Sequence, residues 1–555
     1  MLQDNRILVG MNDKGEYIGM LPKMANRHGL VAGATGTGKT VTLKVLAETF
    51  SDLGVPVFMA DVKGDVAGMA LPGQDSENMQ NRIRRFGLAD MGFQYKGYPV
   101  TLWDIYGQNG IQLRTTISEM GPLLLARVLG LNDLQSDILS VIFKIADDNG
   151  LLLVDTKDLK AILNYVDEHG KEFAEEYGKI SSASIGVIVR AIVALESVGG
   201  DIFFGEPALN INDWLTVDAG GRGIINILDS SSLINNGKMY SAFLLWLLSE
   251  LFEVMPEVGD LEKPKMVFFF DEAHLLFNDA NKALLEKIEL LVKLIRSKGV
   301  GVYFCTQNPK DIPDSVLAQL SNKIEHGLRA YTPADQLAVR AAAESFRVNP
   351  DFDTYEAILA LGTGEAIVSF LQADGIPGIA EKIAVFPPQC NMGSMPDDIR
   401  EIKIKTSILH SKYSESYDPD SAYEFLHRKG VEDAEAAAKA AEEAAAAKAA
   451  EKEALAAQRE AEKAAAAEAK AAAQAAEAER KAIEKAEEAE RKAAERAERE
   501  RQKRAAQVAS TTGGTLGREV GKTIGNALGG SFGKTLGGNI GASIGRGLLG
   551  NLFKK

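Results

Sequence analysis

The sequence predicts an α/β core with a mostly parallel sheet, followed by a long Ala-rich helix and a Gly-rich tail. Three observations support this prediction. Apolar runs ending in polar residues recur along the first part of the chain, as expected of strands buried on both faces of a parallel sheet. Segments with helical periodicity lie between them. The composition then changes twice, to Ala, Glu, Lys and Arg at about residue 431 and to Gly-rich sequence at about residue 508.

Length and composition limit the class of protein without identifying it. The 555 residues are 46% hydrophobic and carry a formal net charge of −15, so several domains with a large core are expected. The acidic balance does not indicate a nucleic-acid-binding protein, although a local basic loop on an acidic body can still bind nucleic acid. The two cysteines, Cys305 and Cys390, predict neither a disulfide framework nor a metal cluster.

The sequence gives no sign of export or of a membrane span. The N-terminal residues lack a basic segment followed by an apolar one, so no signal peptide is predicted. The longest apolar run, AFLLWLLSELF at 242–252, is shorter than the roughly 18 residues that a span requires. We therefore expect a cytoplasmic protein.

Gly-Lys-Thr occurs three times, and the surrounding sequence indicates which copy binds phosphate. A phosphate loop requires Gly-x-x-x-x-Gly-Lys-Ser/Thr between a buried strand and a helix, so that backbone N–H groups and the helix dipole converge on the anion. The first copy has this spacing, after the apolar run HGLVA at 28–32 and before the helical segment 41–54. The two tail copies have Leu516 and Leu528 where the first glycine is required. The predicted nucleotide-binding residues are Gly33, Ala34, Thr35, Gly36, Thr37, Gly38, Lys39 and Thr40.

A second motif follows the apolar strand at 266–270. The strand ends in Asp271 and Glu272, at the position where α/β sheets place ligand-binding residues. Asp271 suits Mg²⁺ held together with Thr40, and Glu272 suits polarisation of an attacking water. The alternative is a surface turn after a core strand. His274 completes a DEAH tetrapeptide, but it is equally interpreted as a histidine at the start of a helix.

Two further strand ends carry polar residues. Asp61, Lys63 and Asp65 follow the apolar strand that begins at 55, and Thr306 and Gln307 follow the strand that begins at 299. We interpret Gln307 as an amide that senses the γ-phosphate, with a turn residue bonding its own backbone as the alternative. For Lys63 the favoured interpretation is a solvated lysine.

Several segments in this order resemble the HerA-like branch of the HerA/FtsK superfamily of P-loop motors. They are RHGLVAGATGTGKT, DVKGD, FFFDEAH, RSKGVGVYFCTQNPKDIPDSVLAQLSNKIEHGLR and LGTGEAIVSF, and the resemblance runs from about residue 20 to 390. It extends to bacterial HerA-like proteins of unassigned function that carry an Ala-rich, Gly-rich C-terminus. The resemblance implies a RecA-like core, ATP and Mg²⁺, a ring of six subunits and, usually, movement of DNA through the ring.

Matched residue by residue, the resemblance implies a complete catalytic set. Lys39 and Thr40 would bind phosphate and Mg²⁺, Asp271 would support the metal, Glu272 would be the base and Gln307 the sensor. Arg296 and Arg329 lie where the family places arginines that reach the γ-phosphate of a neighbouring subunit, and the sequence does not rank them. HerA itself has a β-barrel before its phosphate loop, whereas 32 residues precede Gly33 here, enough for a hairpin.

The chain is thus predicted to contain five parts. They are N-terminal strands or a hairpin at 1–27, an ATPase core at 28–395 with a helical insertion at about 70–215, a helical connector at 396–430, an Ala-rich segment at 431–507 and a Gly-rich tail at 508–555. The Ala-rich segment is a single helix or a weak coiled coil, because its residues are strong helix formers but its apolar positions are nearly all Ala. At a rise of about 1.5 Å per residue it would extend for roughly 115 Å.

The tail and the overall function each leave two interpretations open. Glycine recurs every fourth residue from Gly517 to Gly545, which suits close helix packing or a segment lying on an anionic membrane surface, and a disordered tail is the alternative. The chain is either a nucleic-acid motor, most simply a DNA translocase, or an ATPase ring that moves or remodels protein at the inner face of a membrane.

Overall fold

The structure is a computed structural model that describes residues 1–233, 236–259, 261–277 and 282–504. The chain divides into two units, Met1–Ala438 and Lys439–Lys555, and the predicted tail at 508–555 lies outside the described residues. The first unit contains the sheet and its covering helices. It therefore contains every residue of the predicted nucleotide site.

The described residues form one thirteen-stranded sheet. Its strands are β1 (Leu2–Gln3), β2 (Arg6–Asn12), β3 (Tyr17–Met20), β4 (Gly29–Ala32), β5 (Val57–Asp61), β6 (Val100–Asp104), β7 (Ile111–Gln112), β8 (Ile225–Asp229), β9 (Met266–Phe270), β10 (Val300–Thr306), β11 (Asn322–His326), β12 (Glu365–Ser369) and β13 (Glu381–Val385).

The strand order places the phosphate loop in the middle of a parallel block. The order is β1-β2-β13-β12-β11-β4-β10-β9-β5-β8-β6-β7, with β3 paired to β2. All pairs from β11 to β7 are parallel, whereas β12, β13 and the N-terminal strands pair antiparallel. The carboxyl ends of β4, β5, β9 and β10 therefore meet at one edge of the sheet, and the predicted mostly parallel α/β fold is confirmed.

Helices of the first unit cover both faces of the sheet. The helices of the described residues are α1 (Lys39–Asp52), α2 (Glu77–Arg85), α3 (Ile117–Leu129), α4 (Asp133–Asp148), α5 (Thr156–Glu168), α6 (Gly170–Tyr177), α7 (Ser182–Glu196), α8 (Gly200–Phe203), α9 (Gly237–Val254), α10 (His274–Phe277), α11 (Lys282–Ile295), α12 (Asp314–Leu317), α13 (Pro333–Glu344), α14 (Thr354–Ala360), α15 (Asp397–Thr406), α16 (His410–Tyr413) and α17 (Ala422–Arg504), which continues from the first unit into the second.

Alternation along the central strands divides the core between the two faces. Phe268 and Phe270 of β9 pack with α3, α4, α5, α7, α9 and α11, whereas Val267 and Phe269 pack with α1 on the other face. The five residues of β9 are all buried. A central strand of this kind is apolar at every position because each successive side chain enters one of two cores.

The region predicted as a helical insertion at about 70–215 also contains two strands. It includes α2 to α8, but β6 and β7 within it extend the parallel sheet beyond β8. These strands depend on the pairing of β6 with β8, which lies more than a hundred residues later in the chain. Local periodicity does not predict such a long-range contact. The N-terminal hairpin of β2 and β3 likewise joins the main sheet through β13.

The Ala-rich segment is part of α17, which begins before the predicted boundary at 431. Side chains described between 439 and 496 are exposed, and ion pairs four residues apart occur at Glu477–Lys481 and Glu488–Lys492. Such pairs stabilise an exposed helix by a few tenths of a kcal/mol each, about 0.2–0.5.

No single helix within the described ranges is long and apolar enough to cross a bilayer. Among the helices of these ranges, α6 and α7 taken together reach the required length and hydropathy, across a bend of 102°.

Candidate nucleotide-binding and hydrolysis site

The phosphate loop connects β4 to α1 through glycines with positive φ. Gly33, Gly36 and Gly38 have φ of 145°, 78° and 114°, and Gly38 is the N-cap of α1. At Gly33 a side chain is also excluded by space, because an added Cβ would lie 2.5 Å from the Cβ of His326. The loop can therefore turn its backbone N–H groups toward an anion at the helix N-terminus.

Lys39 is buried and lies folded against the loop. Its Nζ donates to the carbonyl oxygen of Gly33 at 2.6 Å and to that of Ala34 at 3.1 Å. These two carbonyls accept from the ammonium, while Thr35 and Gly36 at the crest of the loop are exposed. A phosphate entering the loop would exchange neutral carbonyl acceptors for charged oxygens, which are stronger partners of an ammonium group.

His326 at the end of β11 supports the loop from behind. Its Nε2 lies 2.9 Å from Thr42 Oγ1 on α1, and its Nδ1 lies 2.9 Å from the carbonyl oxygen of Glu365. Burial lowers the pKa of His326 to about 4, so the ring is neutral near pH 7. The adjacent Gly327 carbonyl accepts from Ala34 N–H at 3.0 Å. Sequence reasoning did not single out His326, although it is part of the segment KIEHGLR.

Asp271 follows β9 and is buried at the carboxyl end of the central strands. Its Oδ1 accepts from the N–H of Glu272 at 2.9 Å. Burial, then the neighbouring carboxylate of Glu272, raises the pKa of Asp271, and Cys305 and Lys63 oppose the rise. Carboxylate and hydroxyl oxygens are the protein ligands that Mg²⁺ prefers, so the side chains of Asp271 and of half-buried Thr40 at the start of α1 fit that ion.

Glu272 has a strained backbone and a fully engaged carboxylate. Its φ is 47°, a left-handed conformation that costs a side-chain-bearing residue about 1–2 kcal/mol. Its Oε1 lies 2.8 Å from Nζ of Lys63, its Oε2 lies 3.3 Å from Nδ1 of His274, and the amide of Gln307 donates to both oxygens at 3.2 Å. Burial acts to raise the pKa of Glu272, but Lys63 and Gln307 outweigh it and hold this pKa below its usual value.

Gln307 links this carboxylate to the phosphate loop. It lies just after β10 and is exposed, and its Oε1 accepts from the hydroxyl of Thr35 at 3.1 Å. The turn interpretation of Gln307 required its amide to bond its own backbone, whereas both ends of the amide contact other segments. Lys63, which we interpreted as a solvated lysine, is instead paired with Glu272. Its partner lies on another strand, so the local sequence does not reveal the pair.

Three neighbouring strands, β5, β8 and β6, end in aspartates that bond the loops after them. Asp61 accepts from the N–H groups of Gly64, Val66 and Ala67, and burial raises its pKa to about 6. Asp229 on β8 accepts from the N–H of Ser231 at 3.0 Å, and Asp104 on β6 accepts from three backbone N–H groups in its own turn. Asp271, which follows β9, is therefore the candidate metal ligand.

The two arginines implied by the resemblance lie at opposite ends of the parallel strands. Arg329 is exposed and comes three residues after β11, at the edge that carries the phosphate loop. Arg296 lies immediately before β10, at the other end of these parallel strands. Within one subunit Gln307 contacts both Glu272 and Thr35 of the phosphate loop, which also holds Lys39, whereas Arg296 lies at the opposite end of the strands.

The sequence that forms this phosphate loop, acidic pair and amide also matches a known protein family. Residues 6–484 match the family described as Helicase HerA-like C-terminal. The chain belongs to this family. The HerA-like assignment made from the motifs is thus confirmed.

Two HerA-like relatives are curated as DNA double-strand break repair helicase HerA. The protein from Sulfurisphaera tokodaii is 24% identical over 356 residues, and that from Sulfolobus acidocaldarius is 22% identical over 353 residues. Each comparison covers 62% of this chain and 62% of the relative. The chain therefore spans less than two thirds of the length of these HerA relatives.

Two solved structures are similar to the chain. The plasmid coupling protein TrwB in complex with a non-hydrolysable ATP analogue has a TM-score of 0.48 and 16% identity, over 71% of this chain and 93% of that one. VirB4 of Thermoanaerobacter pseudethanolicus has a TM-score of 0.42 and 17% identity, over 69% of this chain and 97% of that one. At this similarity neither structure assigns a ligand or partner to the HerA-like chain.

Proposed function

We propose that this protein is an ATP-hydrolysing ring motor that moves duplex DNA. One observation carries the chemical part of the proposal: Gln307 bonds Glu272 on one side and Thr35 of the phosphate loop on the other. Positioning water against a γ-phosphate requires a carboxylate, an amide and a phosphate loop, and all three lie at the carboxyl end of the central strands. Membership of the HerA-like family, whose curated relatives are DNA helicases, supports DNA as the substrate.

Each residue has a defined role in this proposal. The loop N–H groups and Lys39 hold the phosphates, and Thr40 and Asp271 hold Mg²⁺. Mg²⁺ bound there supplies neutralisation of charge on the β- and γ-phosphates. Glu272 accepts the proton of the attacking water, and Gln307 orients that water or the γ-phosphate. Because hydrolysis is mostly positioning and electrostatics, loss of one such group is expected to cost about 10²-fold in rate.

The proposal includes a ring of six identical subunits. An arginine supplied by a neighbour would complete the site, and Arg329 is favoured over Arg296 because it is exposed at the same edge as the phosphate loop. The membrane-associated alternative rests on the sequence of the tail at 508–555, outside the described residues, and no contact within the described ranges favours it.

Two variants test the chemistry. Lys39→Ala should lose ATP affinity, because the buried ammonium is the charged partner of the phosphates. Glu272→Gln should keep ATP affinity and lose turnover, because an amide cannot accept the proton. Equilibrium binding of a fluorescent ATP analogue and phosphate release distinguish the two. Wild-type turnover by Glu272→Gln would refute the assignment of the base.

A further inference from the structure

Lys63 lies outside the phosphate loop and the Asp271–Glu272 pair, yet it contacts the proposed base. Its Nζ lies 2.8 Å from Oε1 of Glu272. The lysine side chain is 41% exposed whereas that of the glutamate is 4% exposed. The cation therefore covers a buried carboxylate from the solvent side and remains hydrated itself, which avoids most of the cost of burying an ion pair.

The turn that carries Lys63 is fixed by its own contacts. Asp61 accepts three backbone N–H groups within the turn, at 2.7, 3.0 and 3.1 Å. The buried Lys44 of α1 donates to the carbonyl oxygen of Asp65 at 2.7 Å, and also to the carbonyls of Asn391 and Met392. The backbone of Lys63 is thus held in place independently of its side chain, so the ion pair orders few additional groups when it forms.

Glu272 needs an external cation because its surroundings are unfavourable to charge. The groups that face it are Asp271 after β9, Lys63 after β5, His274 at the start of α10, Cys305 on β10 and Tyr240 on α9. Among these neighbours Lys63 supplies the permanent positive charge. The strained φ of 47° also means that the backbone alone does not favour the observed orientation.

We propose that Lys63 is a positioning residue for ATP hydrolysis, which fixes the carboxylate of Glu272 beside Gln307 and the phosphate loop. The inference rests on the proposed role of Glu272 as the base. Lys63 need not touch the nucleotide, because it acts through the oxygen that it bonds. Its contact at 2.8 Å and the two bonds from Gln307 at 3.2 Å together hold both oxygens of a carboxylate that is 4% exposed.

The test compares Lys63→Met, Lys63→Arg and Glu272→Gln in the full-length protein. The matched control is Lys14→Met, which removes an exposed ion pair with Asp351 away from the site. The kcat and KM for ATP are measured, together with affinity for an ATP analogue. Lys63→Met should lower kcat about tenfold or more with little change in KM or in affinity. Lys63→Arg should recover most of the lost kcat.

The outcomes separate this inference from the function on which it rests. Parent turnover in Lys63→Met, with an inactive Glu272→Gln, would overturn the role of Lys63 alone. Lost turnover without rescue by arginine would reduce Lys63 to a structural residue and also overturn it. Lost analogue affinity would place Lys63 in binding rather than positioning. Full activity of Glu272→Gln would instead refute the proposed base.

Discussion

The side-chain amide of Gln307 donates to both carboxylate oxygens of Glu272 at 3.2 Å. The same amide accepts from Thr35 at the exposed crest of the phosphate loop at 3.1 Å. The side chain of Gln307 therefore links the proposed base Glu272 to the phosphate loop, and a change at either contact can move it. A γ-phosphate bound beside Thr35 would compete for that amide and release a lone pair of Glu272 for water.

Gln307→Ala should uncouple phosphate binding from the base. The substitution removes both contacts while leaving Lys39 and the loop backbone intact, so ATP affinity should stay near that of the parent protein. Turnover should fall about ten- to a hundred-fold, as for loss of other oriented polar groups. Parallel binding and phosphate-release assays measure the two quantities. Equal losses of affinity and turnover would contradict a sensing role, and Gln319→Ala outside the site is a suitable control.

Gly33→Ala should abolish nucleotide binding. The φ of 145° disfavours any side chain, and the added Cβ would lie 2.5 Å from the Cβ of His326, which α1 and β12 hold in place. The loop must shift to relieve this overlap, so the N–H groups no longer converge on the phosphates. Gly15→Ala is the control, because it has φ of 82° in a turn with no atom within 4 Å of the added Cβ. Parent-like affinity in Gly33→Ala would contradict the described loop geometry.

Stability should fall as the pH decreases from about 6.5 to 4, in part through His28. Burial lowers the pKa of His28 from 6.5 to about 4, and its Nδ1 accepts from the N–H of Val302 at 3.0 Å. Between these two pH values His28 stays neutral in the folded state and becomes protonated in the unfolded state. The contribution of the neutral His28 to the free energy of unfolding is therefore complete above pH 6.5 and is lost as the pH falls to about 4. The shift corresponds to about 3 kcal/mol at most.

His28→Asn should flatten this pH dependence. The Asn carbonyl can accept from Val302 and does not titrate, and Asn tolerates the φ of 58° found at this position. Urea unfolding at several pH values measures the difference from the parent, and His427→Asn at an exposed position is the control. An unchanged pH dependence in His28→Asn would contradict a buried neutral imidazole.

Mixed rings should reveal whether an arginine acts across the subunit interface. Lys39→Ala and Arg329→Ala subunits, each inactive alone, should regain activity when they assemble together. In a random equal mixture roughly a quarter of interfaces would combine an intact loop with an intact arginine. The same mixture with Arg296→Ala tests the alternative. A strictly monomeric and fully active enzyme would contradict the ring.

The parts of the fold that the sequence predicted are those set by local pattern. The apolar run at 266–270 is β9 with the same bounds, and the glycine spacing located the loop between β4 and α1. The strands β6 and β7 were not predicted, because β6 depends on pairing with the distant strand β8 and β7 depends on pairing with β6. The roles of Lys63 and His326 were hidden for the same reason, since their partners Glu272 and Thr42 are distant in the chain.

The central claim, a motor driven by ATP and acting on DNA, is tested most directly by ATP hydrolysis of the purified full-length protein. The rate is measured with Mg²⁺ alone, with duplex DNA, with single strands and with anionic liposomes, and Glu272→Gln is the blank. We predict that duplex DNA stimulates hydrolysis severalfold and that Glu272→Gln is inactive throughout. Hydrolysis that is indifferent to DNA and stimulated by liposomes would contradict the proposal.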